Sequence, residues 1–229
     1  MNIDIQRASE RGRTKTTWLT SYHSFSFGNY MNPSRMEFGK LRVLNDDIIE
    51  PGGGFPTHRH ENMEIVTIVL EGSLHHKDST GGEGLLRVGE VQAMSAGRGI
   101  FHSEANASEK EKVRLYQIWI GTAEEDEPAS YEQKKFRILK NVINTVIGKG
   151  ALRIKQDASV HVVDLEKDRE VDHEIPAGKG VYLQMTGGQV QLGSARLSAG
   201  DGAGITEAKR IEIRALEDSK FILIEVPMD

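Results

Sequence analysis

The sequence predicts an all-β protein made of two copies of one β-fold. Three observations predict it. Turn signals, above all the 24 glycines, punctuate the 229 residues almost every ten positions. The segments between them are short β-type runs, and few stretches hold a 3.6-residue apolar period for more than two turns. Motifs of the first half also recur in the second. Such even spacing marks a sandwich or barrel rather than alternating strands and helices.

The elements follow in order. An aromatic–polar alternation over 21–27 predicts an N-terminal strand, followed by strands over 40–44, 65–70, 90–94 and 113–120. The acidic, proline-containing stretch TAEEDEPA over 122–129 interrupts the series and reads as a surface connection. Helix is minor, one or two turns near 131–139. A second series runs over 151–155, 160–165, 180–185, 189–192, 211–214 and 221–226. Val69-Leu70-Glu71-Gly72 is echoed by Gln184-Met185-Thr186-Gly187, and the Gly89-Glu90 pair that opens one strand by Gly200-Asp201. The expected domains are 1–124 and 125–229.

Composition excludes several function classes. With 29 Lys+Arg against 34 Asp+Glu the formal net charge is −5, which offers no footprint for nucleic acid or an anionic membrane surface. There is no cysteine, so disulfides, thiolate metal sites and a cysteine nucleophile are impossible. No run approaches 18 apolar residues and residues 1–18 hold no apolar signal segment. A cytoplasmic protein is expected.

The segment GGGFPTHRHENME over 52–64 carries the chemistry. Residues two apart on a strand share a face, so His58 and His60 point the same way, about 6.6 Å apart along the chain. Two imidazoles so placed can converge on one ion. The same parity continues through Glu64, Val66, Ile68 and Leu70, which assigns that face to a barrel interior. His102 and Glu104 repeat the two-apart geometry after the turn Ser95-Ala96-Gly97-Arg98-Gly99. Glu64 lies about 13 Å beyond His60 on an extended strand, so geometry favours Glu104 as the carboxylate ligand. Glu64 is left to orient an imidazole. A single His-x-His pair is common without a metal; two such pairs, each beside glycine-rich turns, are far less so.

GGGFPTHRHENMEIVTIVLEGSLHHKDS with VGEVQAMSAGRGIFHSE resembles the pirin family of the cupin superfamily. The match continues upstream through WLTSYHSFSFGNYMNPSRMEFGKLRVLNDD and downstream through YQIWI, and more loosely through HEIPAGKGVYLQMTGGQV. The resemblance implies a bicupin, with a double-stranded β-helix (jelly-roll) barrel present twice. It implies one divalent transition metal in the N-terminal barrel, held by His58, His60, His102 and Glu104. Iron(II) is the first choice, with Ni, Co, Cu, Mn or Zn as alternatives. It also implies a quercetin 2,3-dioxygenase activity, which opens the heterocycle of a flavonol with O2 and releases carbon monoxide, Glu104 taking the substrate's 3-hydroxyl proton. The partners would then be a small aromatic substrate and O2. The alternative is a non-enzymatic metal- or redox-sensing protein acting through a protein partner. A cupin isomerase or decarboxylase would share the same ligands.

Aligning the halves puts His173 opposite His58, but Ile175 opposite His60 and Ile213 and Ala215 opposite His102 and Glu104. The second barrel is therefore expected to hold no metal and to shield the first. His173 is expected at a surface or turn and His161 facing solvent. His23 reads as packed or hydrogen-bonded. His75 and His76, being adjacent, face opposite sides, so one looks inward. Phe25, Phe27, Met63 and Tyr116 are candidates for an aromatic-binding wall or for plain core. Arg98 is taken as a turn residue.

Overall fold

The computed structural model describes residues 1–229 and contains 21 strands and a single 3-10 turn at Ala8–Glu10. The first twelve strands are β1 (Asn2–Gln6), β2 (Gly12–Lys15), β3 (Leu19–His23), β4 (Leu41–Ile49), β5 (Gly54–His60), β6 (Met63–Glu71), β7 (Ser73–Asp78), β8 (Glu83–Arg87), β9 (Glu90–Ser95), β10 (Ile100–Asn106), β11 (Val113–Gly121) and β12 (Ser130–Lys135). There follow β13 (Ile143–Ile147), β14 (Ser159–Leu165), β15 (Glu170–Glu174), β16 (Lys179–Gly187), β17 (Gln189–Leu192), β18 (Ala195–Ser198), β19 (Gly202–Thr206), β20 (Arg210–Ala215) and β21 (Ser219–Pro227).

Each half is a jelly roll. The first pairs the sheet β12-β9-β6-β11-β4-β3-β2 with the sheet β5-β10-β7-β8. The second pairs β1-β19-β16-β21-β14-β13 with β15-β20-β17-β18. Edge strands cross over: β1 adds to β19 of the second barrel, and β12 adds to β9 of the first. No helix is long and apolar enough to cross a membrane.

The helix expected near 131–139 is instead β12. Its residues alternate, Tyr131 and Gln133 turned inward, and Gln133 Nε2 donates to the Leu85 carbonyl at 3.0 Å. Period two, not 3.6, governs this segment. The strand expected over 151–155 is a loop in which Leu152 makes one bridge to Ile147.

The largest apolar cluster, 19 residues, lies between the barrels. It joins Val66, Ile68, Tyr116, Ile118 and Ile120 of the first to Val160, Tyr182, Ile222 and Ile224 of the second. Each fully buried side chain of this kind contributes roughly 1.5–3 kcal/mol. The face of Val66 and Ile68 is therefore the inter-barrel face, which corrects the parity carried forward from His60. Asn62, with φ of 47°, turns the corner between β5 and β6 and breaks that parity.

The interiors differ. The second barrel is filled by 17 apolar residues from β14 to β21. In the first, an apolar plug of seven, Leu19, Ile49, Val69, Leu74, Leu86, Val113 and Leu115, closes one end. Beyond it the inward positions turn polar: Asp47 and Asn45 on β4, Gln117 on β11, and the histidines of β5 and β10. That change of filling creates the site.

Candidate metal centre

β5 and β10 pair antiparallel with His58 opposite His102 and His60 opposite Ile100. The register slips between His102 and Glu104, and β10 also pairs with β7, His102 opposite Asp78 and Glu104 opposite His76. Gly54 permits the close approach: a Cβ there would lie 2.6 Å from the Glu104 carbonyl oxygen.

The three imidazoles converge. Ring centroids are 4.7 Å apart for His58 and His60, 4.4 Å for His58 and His102, and 4.8 Å for His60 and His102. His58 Nε2 faces His102 Nε2 at 3.0 Å. His58 Nδ1 donates to the Pro56 carbonyl at 2.8 Å, so the ring's other nitrogen turns its lone pair into the cluster. Burial, reinforced by neighbouring histidines, lowers His60 to about 4 and His102 to about 3, which keeps both rings in the neutral, ligating form.

Glu104 groups with His102 and His76 rather than with all three imidazoles, each of that trio bringing a donor atom within 4.8 Å of the others. Its Oε2 accepts from Gln117 Nε2 at 2.6 Å, while the buried Oε1 has no partner. Burial pushes its carboxyl up to about 7, opposed by the Gln117 hydrogen bond and supported by Asp47. Asp47 is pushed up to about 7, again chiefly by burial. Buried oxygen without a donor and imidazole lone pairs without a proton fit a divalent cation, whose charge would hold Glu104 ionised. The donor set, nitrogen and oxygen with no sulfur, suits first-row divalent metals.

A cavity of about 340 Å³ opens beside these groups and is walled by Phe27, Phe55, Trp119, His23, Asn45 and Asp47, among others. Trp119 meets His60 edge-on at 4.8 Å and Phe27 at 5.4 Å. Of the candidate wall residues only Phe27 lines it. Phe25 and Tyr116 belong to the inter-barrel cluster, and Met63 packs beside Ile65 and Met94. Trp119, Phe55, Asn45, Asp47 and Gln117 were missed. The signal for Gln117 and Trp119 was a polar residue in the middle of an apolar strand, with an aromatic two positions on.

His23 is hydrogen-bonded as expected, Nδ1 donating to Asn45 Oδ1 at 2.8 Å, and it also borders the cavity. His76 is the inward member of its pair: Nε2 donates to Asp78 at 3.0 Å and the ring stacks on Tyr131 at 4.6 Å. Glu64 touches no imidazole. It accepts from Ser95 Oγ and from the Lys155 backbone at 3.1 Å, tying the barrels together. Arg98 is a turn residue whose Nε donates to the Asp126 carbonyl. His161 and His173 are both buried in strands of the second barrel, against the expectation of exposure.

The Pirin family matches residues 5–120, and the family described as Quercetinase C-terminal cupin domain matches 146–226. The chain belongs to the pirin family. This pirin is 42% identical over 228 residues to the quercetin 2,3-dioxygenase of Escherichia coli strain K12, covering 98% of this chain and 99% of that one. It is 36% identical to a pirin-like protein of Caulobacter vibrioides, over 97% and 99% of the two chains. The crystal structure of the bacterial pirin YhhW from E. coli in complex with nickel(II) superposes with a TM-score of 0.94 at 41% identity, covering 99% of both chains.

Proposed function

We propose that this chain is a metal-dependent dioxygenase that opens the heterocycle of flavonols such as quercetin with O2 and releases carbon monoxide. One divalent metal would be held by His58, His60, His102 and Glu104. Iron(II) is our assignment, and nickel(II), present in the E. coli pirin complex, is the first alternative. When bound, the metal supplies Lewis-acid binding of the substrate enolate and a place for O2 to react.

The residues of the chain do the rest. Glu104, ionised beside the metal, accepts the 3-hydroxyl proton, and Gln117 Nε2 donates to its Oε2 to hold the carboxyl in place. Trp119, Phe27 and Phe55 offer apolar faces to a flat ring system, while Asn45, Asp47 and His23 offer partners for phenolic hydroxyls. The observation that carries this reading is that three imidazoles and a buried carboxyl with an unpartnered oxygen line one aromatic-walled cavity. The E. coli relative supplies the substrate class.

The test reconstitutes metal-free protein separately with Fe, Ni, Co, Cu and Mn. Oxygen uptake, loss of the visible quercetin band and carbon monoxide release are then followed together. All three with at least one metal, and none in His102→Ala, are expected. No turnover with any metal overturns the reading.

A further inference from the structure

The second barrel carries a cluster that the flavonol chemistry does not use. His161 on β14, His173 on β15 and Glu225 on β21 each place a donor atom within 4.8 Å of the others. All three are buried, between 6% and 9% exposed. His173 Nε2 stands 3.2 Å from Glu225 Oε2, and the two imidazole rings meet at 5.0 Å. Ligand atoms around one metal ion at about 2.1 Å lie roughly 3–3.4 Å from each other, so the His173–Glu225 spacing already suits a shared ion.

We propose that this trio is a second divalent-metal site, taking zinc, cobalt(II), nickel(II) or iron(II) through two imidazoles and one carboxylate. It is not a copy of the first. In the strand register Ile211, opposite His173, and Ile213, opposite Leu192, occupy the β20 positions corresponding to His102 and Glu104, and both are buried. The donors come instead from β14 and β21, strands that a position-by-position comparison of the histidine motifs does not inspect.

The surroundings are those of an oriented ligand set. His161 Nδ1 lies 3.0 Å from Thr145 Oγ1, and its Nε2 lies 3.0 Å from Ser159 Oγ. One hydroxyl can fix the ring while the other yields to the ion or joins it. Lys179 donates to Glu225 Oε1 at 3.2 Å, leaving Oε2 toward His173. The same ammonium also binds Asp157 at 2.8 Å, so it is shared between two carboxylates and a net negative charge remains. A cavity of about 470 Å³ reaches His161 and Glu225 from solvent and gives an ion a way in.

Full-length protein is stripped of metal and dialysed against Zn(II) or Co(II) alone, and bound metal is measured by elemental analysis. Wild type should take up two ions, and His58→Ala/His102→Ala one. Adding His173→Gln to that pair should remove the last ion, with an unchanged far-UV spectrum showing that the barrels stand. Lys179→Met in the double variant should keep its ion, because the ammonium is not a ligand. Anomalous diffraction from the double variant should place the ion between His161, His173 and Glu225. No ion in the double variant, or an ion found elsewhere, overturns the site and leaves the trio an ion-pair network. Because the first site is removed in that variant, the result is independent of flavonol turnover.

Discussion

Gln117→Leu isolates the one donor that Glu104 has. Gln117 Nε2 meets Glu104 Oε2 at 2.6 Å, and the other carboxylate oxygen is buried without a partner. A hydrogen bond to a charged group contributes about 1.5–3 kcal/mol, about one to two pH units of proton affinity. Its loss should raise the Glu104 carboxyl by that much above its value of about 7. Metal competes with the proton for this carboxylate, so apparent affinity falls as the protonated fraction grows. In the parent the penalty is about tenfold at pH 6 and nearly absent at pH 8; in the variant it is about 100–1000-fold and about 2–10-fold. Calorimetric titration of metal-free protein with Ni(II) should therefore show the variant about 10–100 times weaker at pH 6, narrowing to about 2–10 times at pH 8. A ratio that is the same at both pH values, or no weakening at pH 6, refutes the coupling of Gln117, Glu104 and the metal.

Three further outcomes are expected. In metal-free protein the folded Glu104 holds its proton to about 7 while the unfolded chain releases it near 4.5, so wild type loses stability as pH rises through that window. Urea denaturation should show Glu104→Gln gaining about 2–3 kcal/mol on wild type between pH 5 and pH 8. Gly54→Ala places a Cβ 2.6 Å from the Glu104 carbonyl oxygen and 2.8 Å from Ala105 Cα, both backbone atoms. It should cost about 1–3 kcal/mol, read as a lower Tm, and weaken metal uptake by parting β5 from β10. Trp119→Ala removes the aromatic edge against His60 and should raise KM for quercetin about 2–10-fold, with Ni(II) affinity in calorimetry changing less.

The metal ligands were legible because each pair sits on one strand, where two-residue spacing alone puts both side chains on one face. The two-barrel plan was legible for a similar reason: turns recur evenly and motifs repeat. The cavity wall was not. β6 and β11 are covered on one face by the second barrel and on the other by the first barrel's interior, so they read as largely apolar runs without alternation, while in β4 the polar Asn45-Asp46-Asp47 reads as the end of a strand. Nothing in such a run says whether Tyr116 or Gln117 looks inward. The corner at Asn62 hid the change of parity between His60 and Val66. The trio in the second barrel was hidden differently. Two of its donors lie on the consecutive strands β14 and β15, but the third lies on the distant β21, and only the pairing of β14 with β21 brings His161 beside Glu225.

The barrels also show why one houses chemistry. Seventeen apolar side chains fill the second around the single polar trio of His161, His173 and Glu225, whereas the first stops at a plug of seven and leaves the rest of its interior to histidine, carboxyl and amide groups. Burying those polar groups costs stability, and the 19-residue cluster between the barrels offsets it without occupying the cavity.

The most direct test of the first centre is diffraction from nickel- or iron-loaded crystals on both sides of the metal's absorption edge. The expected result is one anomalous peak in the first barrel, about 2.0–2.2 Å from a ring nitrogen of His58, His60 and His102 and from a Glu104 oxygen. A first barrel without that peak, or a peak that leaves Glu104 turned away toward His76, contradicts the four-ligand centre.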